Sequence, residues 1–424
     1  MTAALPLLGL LLLVPLLLWL RQNMIVVLGL SSAWLYYFYS SGAIGNTALD
    51  AWQNANTEIF LAIPLYVLAG NVMANGSIAK RLIRIMAALT APIPGGLALA
   101  AVLSCTMFSA ISGSSTVTML AVGGVLYPAL LKAGYDRLFS LGLLCAAGTL
   151  GIIIPPSIPM ILYGIMTQVS ITDLFKAGVL PGLFLASLLC IYAVFKNRHL
   201  RQSTRWDLQE IVAALRSGVL ALLVPFIILG GIYSGYFTAT ESAVVALLYA
   251  MAVDALVHRQ LTLASLFKIT EDTVKMMGAL FPMLIMAISI NVFLTEKDVP
   301  DMAAQWMGSV IDNKVTFLIA VNLLLLGVGA VVDIGSAILI LSPVLLPMAK
   351  AMAIDPVHFG MIMLVNLEIG YLTPPMGLNL IVAAVAFKES FADCCRAVLP
   401  FIGILLFGLL VVVVWPGLSL AMVR

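Results

Sequence analysis

Two adjacent prolines stand twice in the middle of long apolar stretches: Pro155-Pro156 in GTLGIIIPPSIPMILYG (148–164) and Pro374-Pro375 in GYLTPPMGLNL (370–380). A proline inside a helix costs about 3 kcal/mol or more, because it removes one hydrogen bond and clashes with the preceding turn. Pro159, Gly148 and Gly151 deepen the first interruption, so continuous helix is not expected there. Carbonyls freed by such a break cannot face hydrocarbon; they must face protein, water or a ligand. Unwound carbonyls together with Ser and Thr hydroxyls form the hard-oxygen set that a sodium ion needs. The plainer reading is a pair of proline kinks used only for packing.

Upstream of each break lies a stretch that is polar at one end and short for a crossing. The first, AISGSSTVTMLAVGGVLYPALLKAGYD (110–136), carries Ser112, Gly113, Ser114, Ser115, Thr116 and Thr118. The second, DIGSAILILSPVLLPMAKAMAID (333–355), opens on Asp333, Gly335 and Ser336. Each reads as a re-entrant helical hairpin whose tip exposes backbone groups at the membrane centre; ordinary small-residue packing is the alternative. Ionisable groups within a bilayer cost about 2.5–3.5 kcal/mol each on insertion scales and are functional candidates by default. Here they are few: Asp333, Glu368 just before the second break, and Glu241 at the head of ESAVVALLYAM. Asp333 suits a cation-associated carboxylate and equally an N-cap. Glu368 either pairs with a neighbour or faces an aqueous cavity. No Lys or Arg falls inside a break or a tip. An anionic substrate would therefore meet helix N-termini, hydroxyls and bound cations.

The elements that must position these residues follow from composition. Of 424 residues, 62% are hydrophobic and 9% charged, with mean hydropathy +1.13. Soluble domains carry about 25% charged residues, so this is an all-α polytopic membrane protein rather than a water-exposed globule. Apolar stretches fall near 3–20, 24–40, 58–75, 94–110, 138–168, 174–196, 217–235, 241–257, 274–294, 315–332, 357–387 and 396–416. The polar run KNRHLRQSTRWDLQEIVAALR, with Lys196, Arg198, Arg201, Arg205 and Arg216, divides the chain and is expected on the cytoplasmic side. SIAKRLIRIM (77–86) and LASLFKITEDTVKM (263–276) are amphipathic and expected to lie at the interface. The first residues lack a basic n-region and read as a retained segment. Five cysteines without metal-ligand spacing imply neither disulfide nor zinc. A net charge of +2 gives no reason to expect nucleic acid. An intramembrane enzyme using Ser112 or Ser115 would need a base in reach, yet His199, His258 and His358 all sit near segment ends. Transport is the default class.

The chain also repeats itself. The double prolines recur 219 residues on, and the same offset relates Leu120 to Leu339, Pro128 to Pro347, Asp136 to Asp355 and Gly151 to Gly370. Val179-Leu180-Pro181 returns as Val398-Leu399-Pro400. Two structural repeats joined by the basic loop are the expected build of a secondary transporter, with its site at their interface. An inverted pair needs an odd number of crossings in each half, and six candidate stretches per half leave that parity open.

SAISGSSTVTMLAVGG, GTLGIIIPPSIPMILYG, FKAGVLPG, GGIYSGYFTATESAVVA and NLEIGYLTPPMGLNL, in that order, resemble the large membrane subunit of tripartite ATP-independent periplasmic (TRAP) transporters. The resemblance runs over nearly the whole chain. It implies sodium-driven import of a small organic acid across the bacterial inner membrane, with sodium as coupling ion and no other cofactor. It also implies a periplasmic substrate-binding protein and a small four-helix membrane subunit, here a separate polypeptide, as partners beside membrane lipid. The family's elevator design implies a scaffold (1–93 and 217–314) and a moving body (94–196 and 315–424) joined through the basic loop 197–216. The body would hold hairpins at about 110–136 and 333–355 and broken helices at about 137–168 and 357–387. One sodium site would involve Ser112, Gly113, Ser114 and Ser115 with Gly148, Ile153 and Pro155. The other would involve Asp333, Gly335 and Ser336 with Gly370, Thr373 and Met376. Substrate would lie between them near Ser115, Pro156, Ser157, Pro375 and Asn379. The wording NLEIGYLTPPMGLNL is closer to dicarboxylate-type members. The breaks differ, PPSIP against PPMGLN, so the two sites are not chemically equivalent. The alternative class is an ion-conducting, channel-like subunit of a larger complex.

Overall fold

A chain this apolar can satisfy its backbone in a membrane only within helices, and among the described residues all regular structure is helical. The structure is a computed structural model that describes residues 4–20, 22–40, 42–55, 58–200, 206–311 and 313–424. Arg201 and Arg205 of the central loop lie outside the described residues. Among those described, eight helices are long and apolar enough to cross a bilayer, or nine if one bent pair is a single span.

Both double prolines interrupt helix. The first broken helix runs Arg137–Gly148 and Leu150–Ile153, then resumes as Ile158–Thr167. The second runs Pro356–Gly370 and resumes as Leu378–Phe387. Pro155-Pro156 and Pro374-Pro375 are both cis. The two lie antiparallel. Arg137, at the start of the first, donates to Glu389, just past the end of the second, with Nε to Oε1 at 2.9 Å. At the other face the Tyr163 hydroxyl, near the end of the first, donates to the carbonyl of Pro356, which opens the second, at 2.8 Å. Tyr127 of the first hairpin also donates to Glu389, at 2.6 Å. The Arg137 guanidinium holds the Glu389 carboxyl below its ordinary range.

The hairpins correct the sequence reading. They comprise Gly96–Ser112 with Ser115–Lys132, and Lys314–Gly329 with Ile334–Ala351. The stretches 110–136 and 333–355 are therefore each a tip and a returning arm. The incoming arms are apolar enough to pass for ordinary crossings, but at 17 and 16 residues they rise only about 25 Å, short of the ~30 Å core. Gly113, at φ +62°, makes the first reversal, a backbone geometry that glycine adopts without penalty.

Outside these elements, Ile59–Asn75 and Ile78–Thr90 meet at 63°. The amphipathic stretch 77–86 thus forms its own helix. Its elbow is held by Asp254, whose Oδ1 accepts from Ser77 N at 3.3 Å and from Ser77 Oγ at 2.6 Å. The stretch 263–276 is different: it is the beginning of one continuous 34-residue helix, Leu263–Glu296. Thr262 and Ser265 cap its start, and no paired break separates its polar turns from its apolar ones, so amphipathicity did not mark a separate element. At about 51 Å it outruns the bilayer core. A short helix, Gly45–Ala55, was not foreseen; its Asp50 accepts hydrogen bonds from Tyr36 and Ser289.

Close approach within the bundle depends on glycine. A Cβ on Gly142 would lie 2.1 Å from the carbonyl oxygen of Ala397, whereas one on Gly124 would meet nothing within 4 Å. Gly142→Ala is therefore expected to destabilise the detergent-solubilised protein by about 1–3 kcal/mol, read as a lowered Tm. Gly124→Ala is expected to leave Tm unchanged or raised. Equal effects of the two would refute this packing account.

Candidate functional site

The two tips and the two breaks meet. At the first tip, Gly113 places its carbonyl 3.3 Å from the amide of Ile158, the first residue of the helix that resumes after the first break. Gly151 allows this approach, since a Cβ there would stand 2.5 Å from the Ser114 carbonyl oxygen. Gly148 lies one turn earlier, where a Cβ would stand 2.7 Å from Met119 Cβ. At the second tip the carbonyl of Ala330 accepts from Met376 N at 3.2 Å, across the second break. Gly329 and Gly370 are packed so closely that a Cβ on Gly370 would be 2.7 Å from Gly329 Cα.

The two halves are stitched across the middle by Asn379. Its Nδ2 donates to Ser115 Oγ at 3.1 Å and to Glu368 Oε1 at 3.3 Å. Its Oδ1 accepts from Thr116 Oγ1 at 3.0 Å. Asn379, Ser115 and Glu368 are all buried. Ser112 Oγ pairs with Thr118 Oγ1 at 2.6 Å, and Ser114 stands extended at the N-cap of the returning arm. Ser157 caps the helix after the first break, accepting from Met160 N at 3.5 Å. Ile153, Pro155 and Pro156 are buried with it. Asp333 is an N-cap: Oδ2 accepts from Ser336 N at 2.9 Å and Oδ1 from Ser336 Oγ. Gly335 packs beside it, 3.6 Å from Leu162 Cδ1 by its virtual Cβ, so the second tip also touches the first broken helix. Thr373 turns its hydroxyl back to the Ile369 carbonyl at 2.8 Å. Pro374, Pro375 and Met376 are exposed, so the second break is open where the first is sealed.

Helix polarity decides what this arrangement can do. The helices ending at Ser112, Ile153, Gly329 and Gly370 bring carbonyl ends to the cluster, which favour cations. Those starting at Ser115, Ile158, Ile334 and Leu378 bring amide ends, which favour carboxylates. The sequence reading named nearly all of these residues. It did not foresee that Thr116, Ser115 and Glu368 would share one partner, Asn379, because nothing in residue type marks a contact across 263 positions.

A separate cavity of about 1000 Å³ lies between the end of the first broken helix (Gly164–Gln168) and Glu58, Thr238, Asn291 and Glu296 of other elements. None of the tip or break residues line it. It sits at the face opposite the basic loop, since Ile171–Lys196 and Leu208–Tyr233 each run a full span away from that loop.

Residues 11–418 match the family described as "Tripartite ATP-independent periplasmic transporter, DctM component". The "C4-dicarboxylate TRAP transporter large permease protein DctM" of Pseudomonas aeruginosa is 40% identical over 397 residues, covering 93% of each chain. The protein of the same name in Vibrio cholerae is 37% identical over 420 residues, covering 93% of this chain and 92% of its own. Among solved structures, the Alcanivorax borkumensis YdaH transporter superposes with a TM-score of 0.66 at 16% identity, covering 97% of this chain and 99% of that one. That likeness concerns the fold alone. Interrupted helices meeting inside an apolar helical bundle and family matches along nearly the full length agree, and this multi-pass inner-membrane chain belongs to the DctM-component family of large permeases of TRAP transporters.

Proposed function

We propose that the chain imports a small organic acid, C4-dicarboxylate-like, driven by sodium. The single observation that carries this reading is the convergence of carbonyl-ended and amide-ended helices at the two tips and two breaks. Carbonyl ends and hydroxyls suit sodium; amide ends suit the carboxylates of the substrate. Ser112, Gly113, Ser114 and Ser115 with Gly148, Ile153 and Pro155 would hold one sodium ion. Asp333, Gly335, Ser336, Gly370, Thr373 and Met376 would hold another. Substrate would lie between, near Ser115, Pro156, Ser157, Pro375 and Asn379. The names of the two relatives support the substrate class.

Movement is part of the proposal. The antiparallel broken helices support two inverted repeats, with both hairpins and both broken helices as one moving body. It meets the remaining helices at several named points. Gly70 lets the Ser112 carbonyl come within 3.0 Å of its virtual Cβ. Met283 Sδ receives Ser336 Oγ at 2.9 Å, and Asn291 Nδ2 donates to the Met166 carbonyl at 3.2 Å. The cavity opposite the basic loop would be the periplasmic approach. A periplasmic binding protein would deliver the acid there, and a small membrane subunit would complete the complex.

Two experiments test the coupling and a third the movement. In proteoliposomes holding the complete complex and its binding protein, uptake of the acid is expected to vanish when potassium replaces sodium; undiminished flux would favour the channel-like reading. Asp333→Asn keeps a good N-cap but removes the charge. It should lower apparent sodium affinity about tenfold or more, an amount in line with ~1.5–3 kcal/mol for a charged hydrogen bond, while leaving Tm near wild type. An Asn variant with normal sodium affinity would leave Asp333 as a cap alone. For the moving body, Met166→Cys with Asn291→Cys should form a disulfide that stops uptake until reduced; a cross-linked complex that still transports would count against the elevator.

A further inference from the structure

Glu368 lies two residues before the second break and is fully buried. Its Oε1 has a hydrogen bond from Asn379 Nδ2, long at 3.3 Å, and its Oε2 is buried with no donor at all. Carboxylates held as anions inside proteins gather two or three donors or a cation. No cationic side chain can supply the balance. The hairpins and broken helices carry only Lys132, Arg137, Lys314, Lys350 and His358 as basic residues, each at a helix end remote from the tips. Asp333, at the other tip, is acidic.

Oxygen ligands are nevertheless at hand. The Asn379 amide bridges Glu368 Oε1, Ser115 Oγ and Thr116 Oγ1. A half-turn of that amide exchanges its nitrogen and oxygen and keeps both hydroxyl partners, which can donate or accept, while giving up the bond to Glu368 Oε1. Its oxygen would then face Glu368 and Ser115, and its NH2 would face Thr116. Carboxylate, hydroxyl and amide oxygens are hard ligands.

We propose that Glu368, Ser115 and Asn379 form a further site for a small monovalent cation of the sodium class, additional to the two tip sites, sharing Ser115 with the first of them and bordering the substrate through Asn379. This rests on the sodium-coupled reading above. Filling the site neutralises the buried carboxylate and locks the first hairpin to the second broken helix through Asn379. Emptying it leaves a buried carboxyl group short of partners, an arrangement that costs free energy in a low-dielectric site.

The test uses the complete transporter in proteoliposomes, with the ratio of sodium to acid taken from reversal potentials and equilibrium binding of radioactive sodium measured on the purified complex. Glu368→Gln keeps the shape and an acceptor for Asn379 but removes the charge. The expected result is one sodium ion fewer bound and one fewer moved per acid, with uptake still dependent on sodium. Glu368→Asp should keep the ion with weakened affinity. An unchanged ratio and site count in Glu368→Gln overturns the site while leaving sodium coupling intact. If Glu368→Gln does not fold, the wild-type count decides: no more sodium than the tip sites hold overturns it. Wild-type uptake indifferent to sodium overturns both readings.

Discussion

Peptide groups that leave a helix within the hydrocarbon layer must find partners there, and the architecture of this permease is organised around that requirement. Each double proline releases a short run of backbone, and each hairpin reversal releases another. They are satisfied by being brought together: the Gly113 carbonyl takes the amide of Ile158, and the Ala330 carbonyl takes that of Met376. Small residues at Gly151, Gly329 and Gly370 let backbone lie on backbone. The remaining unshared carbonyl and amide ends constitute the polar centre of an otherwise apolar molecule.

Much of this was legible in the sequence because it depends on residues that act locally. Paired prolines break helix wherever they fall, and both breaks lie where the motifs put them. The Gly/Ser tip was readable for the same reason. The incoming hairpin arms were not, since Gly96–Ser112 and Lys314–Gly329 have the composition of ordinary crossings and differ only in being turned back. The helix Leu263–Glu296 shows the converse: a polar beginning did not imply a boundary, as the helix runs unbroken from its polar turns into its apolar length, through Gly278 and Pro282. The stitching by Asn379 was invisible because long-range hydrogen bonding leaves no periodic trace.

The two breaks are finished differently. Around the first break every residue from Ile152 to Ile158 is buried, and Ser157 caps the resuming helix. Around the second, Pro374, Pro375 and Met376 are exposed, and the resuming helix starts from Gly377 at φ +47° without a side-chain cap. The first break is thus the braced wall of the site and the second its accessible side. Glu368 stands just before the second break, tied through Asn379 to Ser115 of the first hairpin.

The link between Ile78–Thr90 and the first hairpin is residues 91–95, with prolines at 92 and 94. Fully drawn out, five residues reach only about 17 Å. This link is not drawn out: the Thr90 hydroxyl donates to the Gly96 carbonyl at 2.7 Å, fastening its two ends together. The short helix and the incoming hairpin arm are therefore tied at their joint. Any change in the angle between Ile59–Asn75 and Ile78–Thr90 has to be taken up at the bend over Asn75–Ile78, where Ser77 grips Asp254, rather than at the proline-bearing link.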